Sequence, residues 1–234
     1  ELGFLNMSMP TELGGCGADK LYSVVQIEEL SAAGHTGIGF VLHSEIVSPY
    51  LLHYGSDAQK QKYMPLLSSG EMVGAIAMTE PAAGSDLQGI KSTAVQQADG
   101  SFILNGSKTY ITNGPGGDIF VVYAKTGPSR KDISTFIVES KFPGFKVSKK
   151  LKKMGMRASP TAELAFVDCE VPEENLIGKE NDSNWFTAYR DLAKTIVDFL
   201  TKRAETICNW TGSENPDGAE AFLNSKDSSP AQPT

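Results

Sequence analysis

A chain of 234 residues with 40% hydrophobic content has the apolar material for one or two packed domains and is not disordered as a whole. A formal net charge of -7 and an isoelectric point near 5.1 exclude the broad basic face that wholesale nucleic-acid binding needs. Cys16, Cys169 and Cys208 are odd in number, far apart and without CxxC spacing, which excludes a disulfide framework and a cysteine zinc site and favours a reducing compartment.

No apolar run approaches the ~20 residues that cross a bilayer, and the start carries neither a signal nor a transit pattern. The first residue is Glu1, so the natural amino terminus is expected to lie upstream. Residues 1–72 read as a helical segment. Gly14, Gly15 and Gly17 mark a turn, and Asp19 caps a helix in which Leu21, Val24, Val25, Ile27 and Leu30 recur at near-helical spacing. A second helix is predicted over 38–54, ended by Gly55, and a third starts at the cap Ser56, with Pro65 and Gly70 closing the unit.

From residue 73 the texture changes to short β-prone runs at 73–79, 92–97, 102–112, 119–125, 133–139 and 162–171, separated by Gly, Pro, Asn and Asp. Strands without intervening helices predict an antiparallel barrel or sandwich over 73–181 and an α+β fold for the whole. Ala98-Asp-Gly100 signals a hairpin, and Asn105-Gly106 reads as a second turn. In the third region, 182–234, residues 185–210 form a candidate amphipathic helix, and the polar stretch from Thr211 onward reads as a disordered tail.

Two segments carry the chemistry. In Ala75-Ile-Ala-Met-Thr-Glu-Pro-Ala-Ala-Gly-Ser-Asp-Leu-Gln-Gly-Ile-Lys91 an apolar strand runs into a small, turn-prone loop, with Thr79, Ser85 and Asp86 offering polar partners beside bare backbone and Gly84 expected to supply special backbone freedom. Leu104-Asn-Gly-Ser-Lys-Thr-Tyr-Ile-Thr-Asn-Gly114 follows about twenty residues later. Together they resemble the two flavin-contacting segments of the acyl-CoA dehydrogenase family, the long-chain members most of all. The resemblance extends through Met9-Pro-Thr-Glu-Leu-Gly-Gly15, Glu28-Glu-Leu30, Gly55-Ser-Asp-Ala-Gln-Lys60 and Lys153-Met-Gly-Met-Arg-Ala-Ser-Pro-Thr-Ala-Glu163, in order, over roughly three quarters of the chain.

The resemblance implies a fold made of the end of an amino-terminal helical domain and a complete middle β domain, with FAD as cofactor. In this family a hydride leaves the β-carbon of an acyl-CoA for the flavin while a glutamate removes the α-proton. By position, Ile76, Ala77, Met78 and Thr79 fall at the strand end that binds the flavin ring, Gly84 and Ser85 at the turn near pyrophosphate and substrate, and Tyr110, Ile111 and Thr112 at the aromatic triplet against the isoalloxazine. Ser85, Asp132 and Ile133 fall where the acyl-CoA is approached, although an aspartate beside phosphates is unfavourable. Ala82 stands where relatives have the first glycine of Glu-Pro-Gly-Ala-Gly-Ser, which would strain the loop if that position needs positive φ. No glutamate after Asn181 sits in a matching motif, so the catalytic base is unassigned. The implied partners are an acyl-CoA, electron-transfer flavoprotein and further copies of the chain, and the implied location is the mitochondrial matrix.

Blander readings stand beside these. Lys146, Lys149, Lys150, Lys152, Lys153 and Arg157 read as a solvated loop face before a phosphate or partner site. His35, His43 and His53 lack metal-ligand spacing and read as polar helix residues or caps, and no metal site is expected. Two other classes of function remain: a non-catalytic binding or assembly protein built on the same middle domain, separable by a stable fold without FAD, and an acyl-CoA oxidase, separable by hydrogen peroxide production. From this chain alone, little or no dehydrogenase activity is expected.

Overall fold

The computed structural model describes residues 3–35 and 37–180, so the predicted helix over 185–210 and the tail beyond it lie outside the described residues. Helices precede strands as the composition shift predicted. The first, α1 (Lys20–Ala32), opens where the Asp19 carboxylate accepts from the Leu21 N–H. Two residues after the second helical run, Ser56 and Gln59 form a reciprocal capping box that starts α3 (Asp57–Ser69). Gly70, at φ 81°, ends α3 in the left-handed conformation that favours glycine, but Pro65 lies inside the helix. Burial of Met64 and Leu67 on either side offsets the backbone bond that Pro65 cannot make.

The run predicted over 38–54 is helical but not uniform. A π-helical stretch, Leu42–Val47, leads directly into α2 (Ser48–Tyr54), and the widened turn buries His43, Ser44 and Val47 together. His43 is a joint rather than a surface residue: its ring Nδ1 accepts from the Gly74 N–H at 3.0 Å and its Nε2 donates to the Leu67 carbonyl at 2.9 Å. Burial lowers its pKa, and these two bonds require the neutral ring.

Eight strands form one sheet, β1 (Gly74–Ala77), β2 (Thr93–Gln96), β3 (Phe102–Thr112), β4 (Ile119–Lys125), β5 (Ile133–Glu139), β6 (Phe145–Lys150), β7 (Thr161–Val171) and β8 (Leu176–Ile177). The order β6-β7-β3-β2-β4-β5-β8 does not close into a barrel. Most pairings are antiparallel as expected, and β1 and β2 depart by running parallel to β4. The Asp99-Gly100 hairpin joins β2 to β3, with Gly100 at φ 91°. Asn105-Gly106 makes no turn: it lies inside β3, with Gly106 at φ 149°, opposite a bulge whose extra residue is on β7, where Asp168 holds φ 46°. Of the basic run expected as a solvated loop face, Lys146, Lys149 and Lys150 lie in the edge strand β6, which is exposed along nearly its whole length and paired only to β7 among the described strands, while Lys152, Lys153 and Arg157 lie in the loop that follows.

Alternation along β4 separates two apolar cores. Ile119, Val121 and Tyr123 pack with Val47, Leu51, Met64 and Leu67 from the helical segment, while Phe120, Val122 and Ala124 pack with Phe102, Leu104, Phe136 and Phe166 across the curved sheet. The sheet therefore has helices against one face and its own outer strands folded over the other.

Candidate functional site

Strands β1 and β2 lie in succession along one side of β4. The first pairs Gly74 to Ala77 with Ile119 to Val122, and the second meets β4 in the same sense at Thr93 and Lys125. Residues 78–92 leave the sheet between them and return to it. The β3 strand lines this exit, pairing with β2 through residues 102–105 and then donating the Thr109 N–H to the Thr79 carbonyl at 2.9 Å. That single bond brings the two chemistry-bearing segments of the sequence side by side.

Ile76 and Ala77 spend their side chains on the two cores, so they present only backbone to the site. Met78 and Thr79 are half-buried at the strand end, and Gly84 and Ser85 are exposed on the loop. Gly84 does not have positive φ, and a Cβ built on it would meet nothing within 4 Å. Neither conformation nor packing demands a glycine here, contrary to the expectation of special backbone freedom. What its absent side chain does is leave the backbone open to whatever approaches the loop. Ala82 likewise avoids positive φ, so replacing a glycine there causes no strain.

On β3 the decisive local feature is Tyr110. A register shift against β7 between Lys108 and Ile111 marks a bulge, and at its centre Tyr110 holds φ 59° with its side chain turned outward, 69% exposed. A left-handed aromatic residue is strained by about 1 kcal/mol, and strain of this kind clusters at ligand sites. Ile111 points the other way into the core, and Thr112 is half-buried beside Thr161. Asn113, also left-handed, reaches back with its amide to the Gly74 carbonyl at 3.2 Å, so His43 and Asn113 together hold both backbone groups of Gly74 at the start of β1.

Asp132 and Ile133 lie where the loop between β4 and β5 ends. Asp132 accepts the Ser129 N–H at 2.8 Å and so shapes its own turn, while the Ile133 side chain is buried in the helix-side core. Their loop is tied to the first one by Arg130, whose guanidinium contacts both Asp86 carboxylate oxygens at 2.9 and 2.6 Å. Ser85 and Asp132 thus belong to neighbouring loops, although no bond joins the two residues directly in the described contacts.

Three residues at the site were not singled out from sequence: Arg130, Glu80 and Lys108. The last two form an ion pair at the neck of the loop, with Lys108 Nζ 2.8 Å from Glu80 Oε1 and 3.2 Å from the Met78 carbonyl. Glu80 also accepts the Lys91 and Ser92 N–H groups at 2.6 and 3.1 Å. Burial raises the Glu80 carboxyl, but Lys108 and these donors outweigh it and hold it below the usual carboxylate range. Burial lowers Lys108, and Glu80 offsets only part of that. The signal available in sequence was the pairing of Glu with Lys in the two motif segments, which says nothing until the segments are known to be adjacent.

Two family models match the chain: the acyl-CoA dehydrogenase N-terminal domain over residues 1–71 and the acyl-CoA dehydrogenase middle domain over residues 75–169. The chain belongs to the acyl-CoA dehydrogenase family. The boundary between the two acyl-CoA dehydrogenase domains falls where α3 gives way to β1, at the joint held by His43. Mitochondrial isovaleryl-CoA dehydrogenase of Pongo abelii is 47% identical over 185 residues, covering 77% of this chain and 44% of the relative. The mitochondrial long-chain specific acyl-CoA dehydrogenase of Mus musculus is 44% identical over 188 residues, covering 79% and 44%. Among solved structures, an acyl-CoA dehydrogenase from Bacillus anthracis complexed with FAD superposes with a TM-score of 0.76 at 40% identity, over 82% of this chain and 33% of that one. The chain therefore spans less than half the length of these two curated relatives, and its matched part does not single out the long-chain members.

Proposed function

We propose that this chain carries the FAD-contacting portion of an acyl-CoA dehydrogenase that introduces a trans double bond between the α and β carbons of an acyl-CoA. The observation that supports it most is the Thr109 to Thr79 bond, which sets the outward Tyr110 ring beside the strand end and loop that bear Thr79, Gly84 and Ser85. FAD, when bound, supplies the hydride acceptor. The residues present fit it: a strained, exposed aromatic gives a flat face, Thr79 and Thr112 give half-buried hydroxyls, and Gly84 and Ser85 give open backbone.

In this reading the backbone of Ile76, Ala77 and Met78 and the hydroxyl of Thr79 orient the flavin ring, with Tyr110, Ile111 and Thr112 on the adjoining strand. Ser85 faces both cofactor and thioester, and the loop carrying Asp132 and Ile133 approaches the coenzyme A portion, where Arg130 adds the cation that Asp132 lacks. In the same reading electron-transfer flavoprotein is the redox partner, the assembled form is a homo-oligomer, and the compartment is the mitochondrial matrix, of which the relatives' names support the mitochondrion. The acyl chain accepted, isovaleryl or longer, depends on residues outside the matched part.

The test is the visible absorbance spectrum of the purified chain after incubation with FAD and removal of free cofactor. A bound-flavin spectrum is expected, weakened by Tyr110→Ala. Absence of bound flavin in a folded protein would overturn the proposal and favour a non-catalytic binding role.

A further inference from the structure

Residues 78–92 depart from and return to the same side of β4, so the loop has a neck, and Glu80 sits in it. Its carboxylate accepts two N–H groups from the returning limb, at Lys91 and Ser92, and the ammonium of Lys108 from the adjacent strand. Its own backbone pairs with Ala83 in both directions, N–H to carbonyl at 2.9 and 3.1 Å, which makes the tight turn that leads to Gly84 and Ser85. Lys108 has no exposed surface and reaches across to the Met78 carbonyl as well, so one side chain contacts the last residue before Thr79 and the first after it. A buried ion pair is a poor route to stability, since apolar residues of similar volume often do as well or better. Ala83 and Ile90 are buried and Leu87 packs on the helix-side core, yet Pro81, Ala82, Gly84, Ser85 and Asp86 are exposed, and a charged pair set at the neck of that exposed limb calls for a role beyond burial.

We propose that Glu80 and Lys108 are positioning residues: their ion pair holds the whole of residues 79–92 in one conformation before any ligand arrives, and this preorganisation sets the affinity for the flavin. The inference rests on the flavin reading for its second half only. Neither side chain touches the reacting atoms, and the effect passes through the backbone of Met78, Thr79, Lys91 and Ser92.

The experiment compares the natural chain with the charge-free double variant Glu80→Gln/Lys108→Met, which avoids the stranded charge either single change would leave. Amide hydrogen exchange is read without ligand at Ala83, Gly89 and Ile90, whose N–H acceptors are loop carbonyls and not the substituted side chains, with β4 and β5 amides as the internal standard. Exchange at those three amides is expected to accelerate by about tenfold or more while β4 and β5 stay slow, and FAD affinity to fall by a similar factor at unchanged melting temperature. Acceleration confined to Lys91 and Ser92 would overturn the proposal, because the pair would then be a local bond and nothing more. So would wild-type FAD affinity in a double variant with a loosened loop. If the natural chain itself takes up no FAD, the flavin reading fails, and the exchange at Ala83, Gly89 and Ile90 still decides whether the pair orders the loop.

Discussion

Among the described residues two carboxylates are buried with cations, and they differ in what surrounds the cation. Glu139, at the end of β5, accepts from Lys62, Lys141 and the Tyr63 hydroxyl at 2.7 to 2.8 Å, fastening α3 to the sheet. Its lysines lie mostly in solvent, with side chains 54% and 75% exposed. Glu80 faces a lysine with no exposure at all. Each carboxylate has three donors, but water or the second lysine can replace a cation at Glu139, whereas at Glu80 only the neutral Lys91 and Ser92 N–H groups remain if Lys108 is lost. The first arrangement is a fastening between domains, and the second concentrates the organisation of a loop in one pair.

Single substitutions separate the two most sharply. Lys108→Met strands the Glu80 carboxylate in the interior and should lower unfolding free energy by about 3 kcal/mol or more, read as the urea midpoint at neutral pH. Lys62→Met leaves Glu139 with Lys141 and Tyr63 and should lower it by less than about 1 kcal/mol. Equal effects would show that exposure of the cation is not what distinguishes the sites. Next in size is Gly106→Ala, where a Cβ would sit 2.3 Å from Ser92 Oγ and 2.8 Å from its Cα at a φ of 149°. A loss of about 2 kcal/mol is expected, and it presses on the same neck, because Ser92 is one of the residues that Glu80 holds.

Why that neck could not be read from sequence while much around it could is a matter of distance along the chain. The strands at 119–125 and 133–139 were legible to the residue, because each is an unbroken β-prone run whose fate is decided locally, and the ends of 102–112 were legible despite the Asn105-Gly106 within it. Asp19 and Ser56 announced their helices by the same local logic. Asn105-Gly106 misled because Asn-Gly makes a turn only when its flanks pair with each other, and here both flanks pair with β7. The β6 strand was hidden because its lysines face solvent and its pairing with β7 is not encoded in its own pattern. Glu80 and Lys108 stand 28 residues apart, and only the Thr109 to Thr79 contact makes them neighbours. Thr79, Ser85 and Tyr110, by contrast, are named by motif position alone, and the same contact sets their segments side by side, although the bulge that turns Tyr110 outward had no signal in the motif.

The pH dependence of stability sharpens the contrast further. Burial would raise the Glu139 carboxyl, but Lys141, Lys62 and Tyr63 bring it down to about 2 from 4.5. A carboxyl held below its unfolded value stabilises fully above that value and loses its contribution as pH falls toward the folded one, so Glu139 contributes to acid destabilisation between about 4.5 and about 2. His43 acts earlier and with the same sign: the unfolded ring takes a proton below 6.5, whereas the folded ring, its pKa lowered, stays neutral between Gly74 and Leu67. Urea midpoints are therefore expected to decline in two stages, the first flattened by His43→Gln and the second, which Glu139 shares with the lowered Glu80 carboxyl, reduced in part by Glu139→Gln. A first stage that survives His43→Gln would remove His43 from the account.

The smallest effect on stability is the most informative about function. Gly84→Ala adds a Cβ that meets no neighbour and needs no forbidden φ, so stability should hold or rise by up to about 1 kcal/mol, because the unfolded chain loses conformational freedom. If the loop merely covers the end of the sheet, nothing else should change. If its backbone is approached by the flavin, the added methyl occupies the space a ligand atom would take, and FAD uptake measured by visible absorbance should weaken by about tenfold. Because stability and binding are predicted to separate completely at this position, a parallel fall in both would show that Gly84 is needed by the fold after all, and unchanged binding would show that the flavin does not approach the loop here.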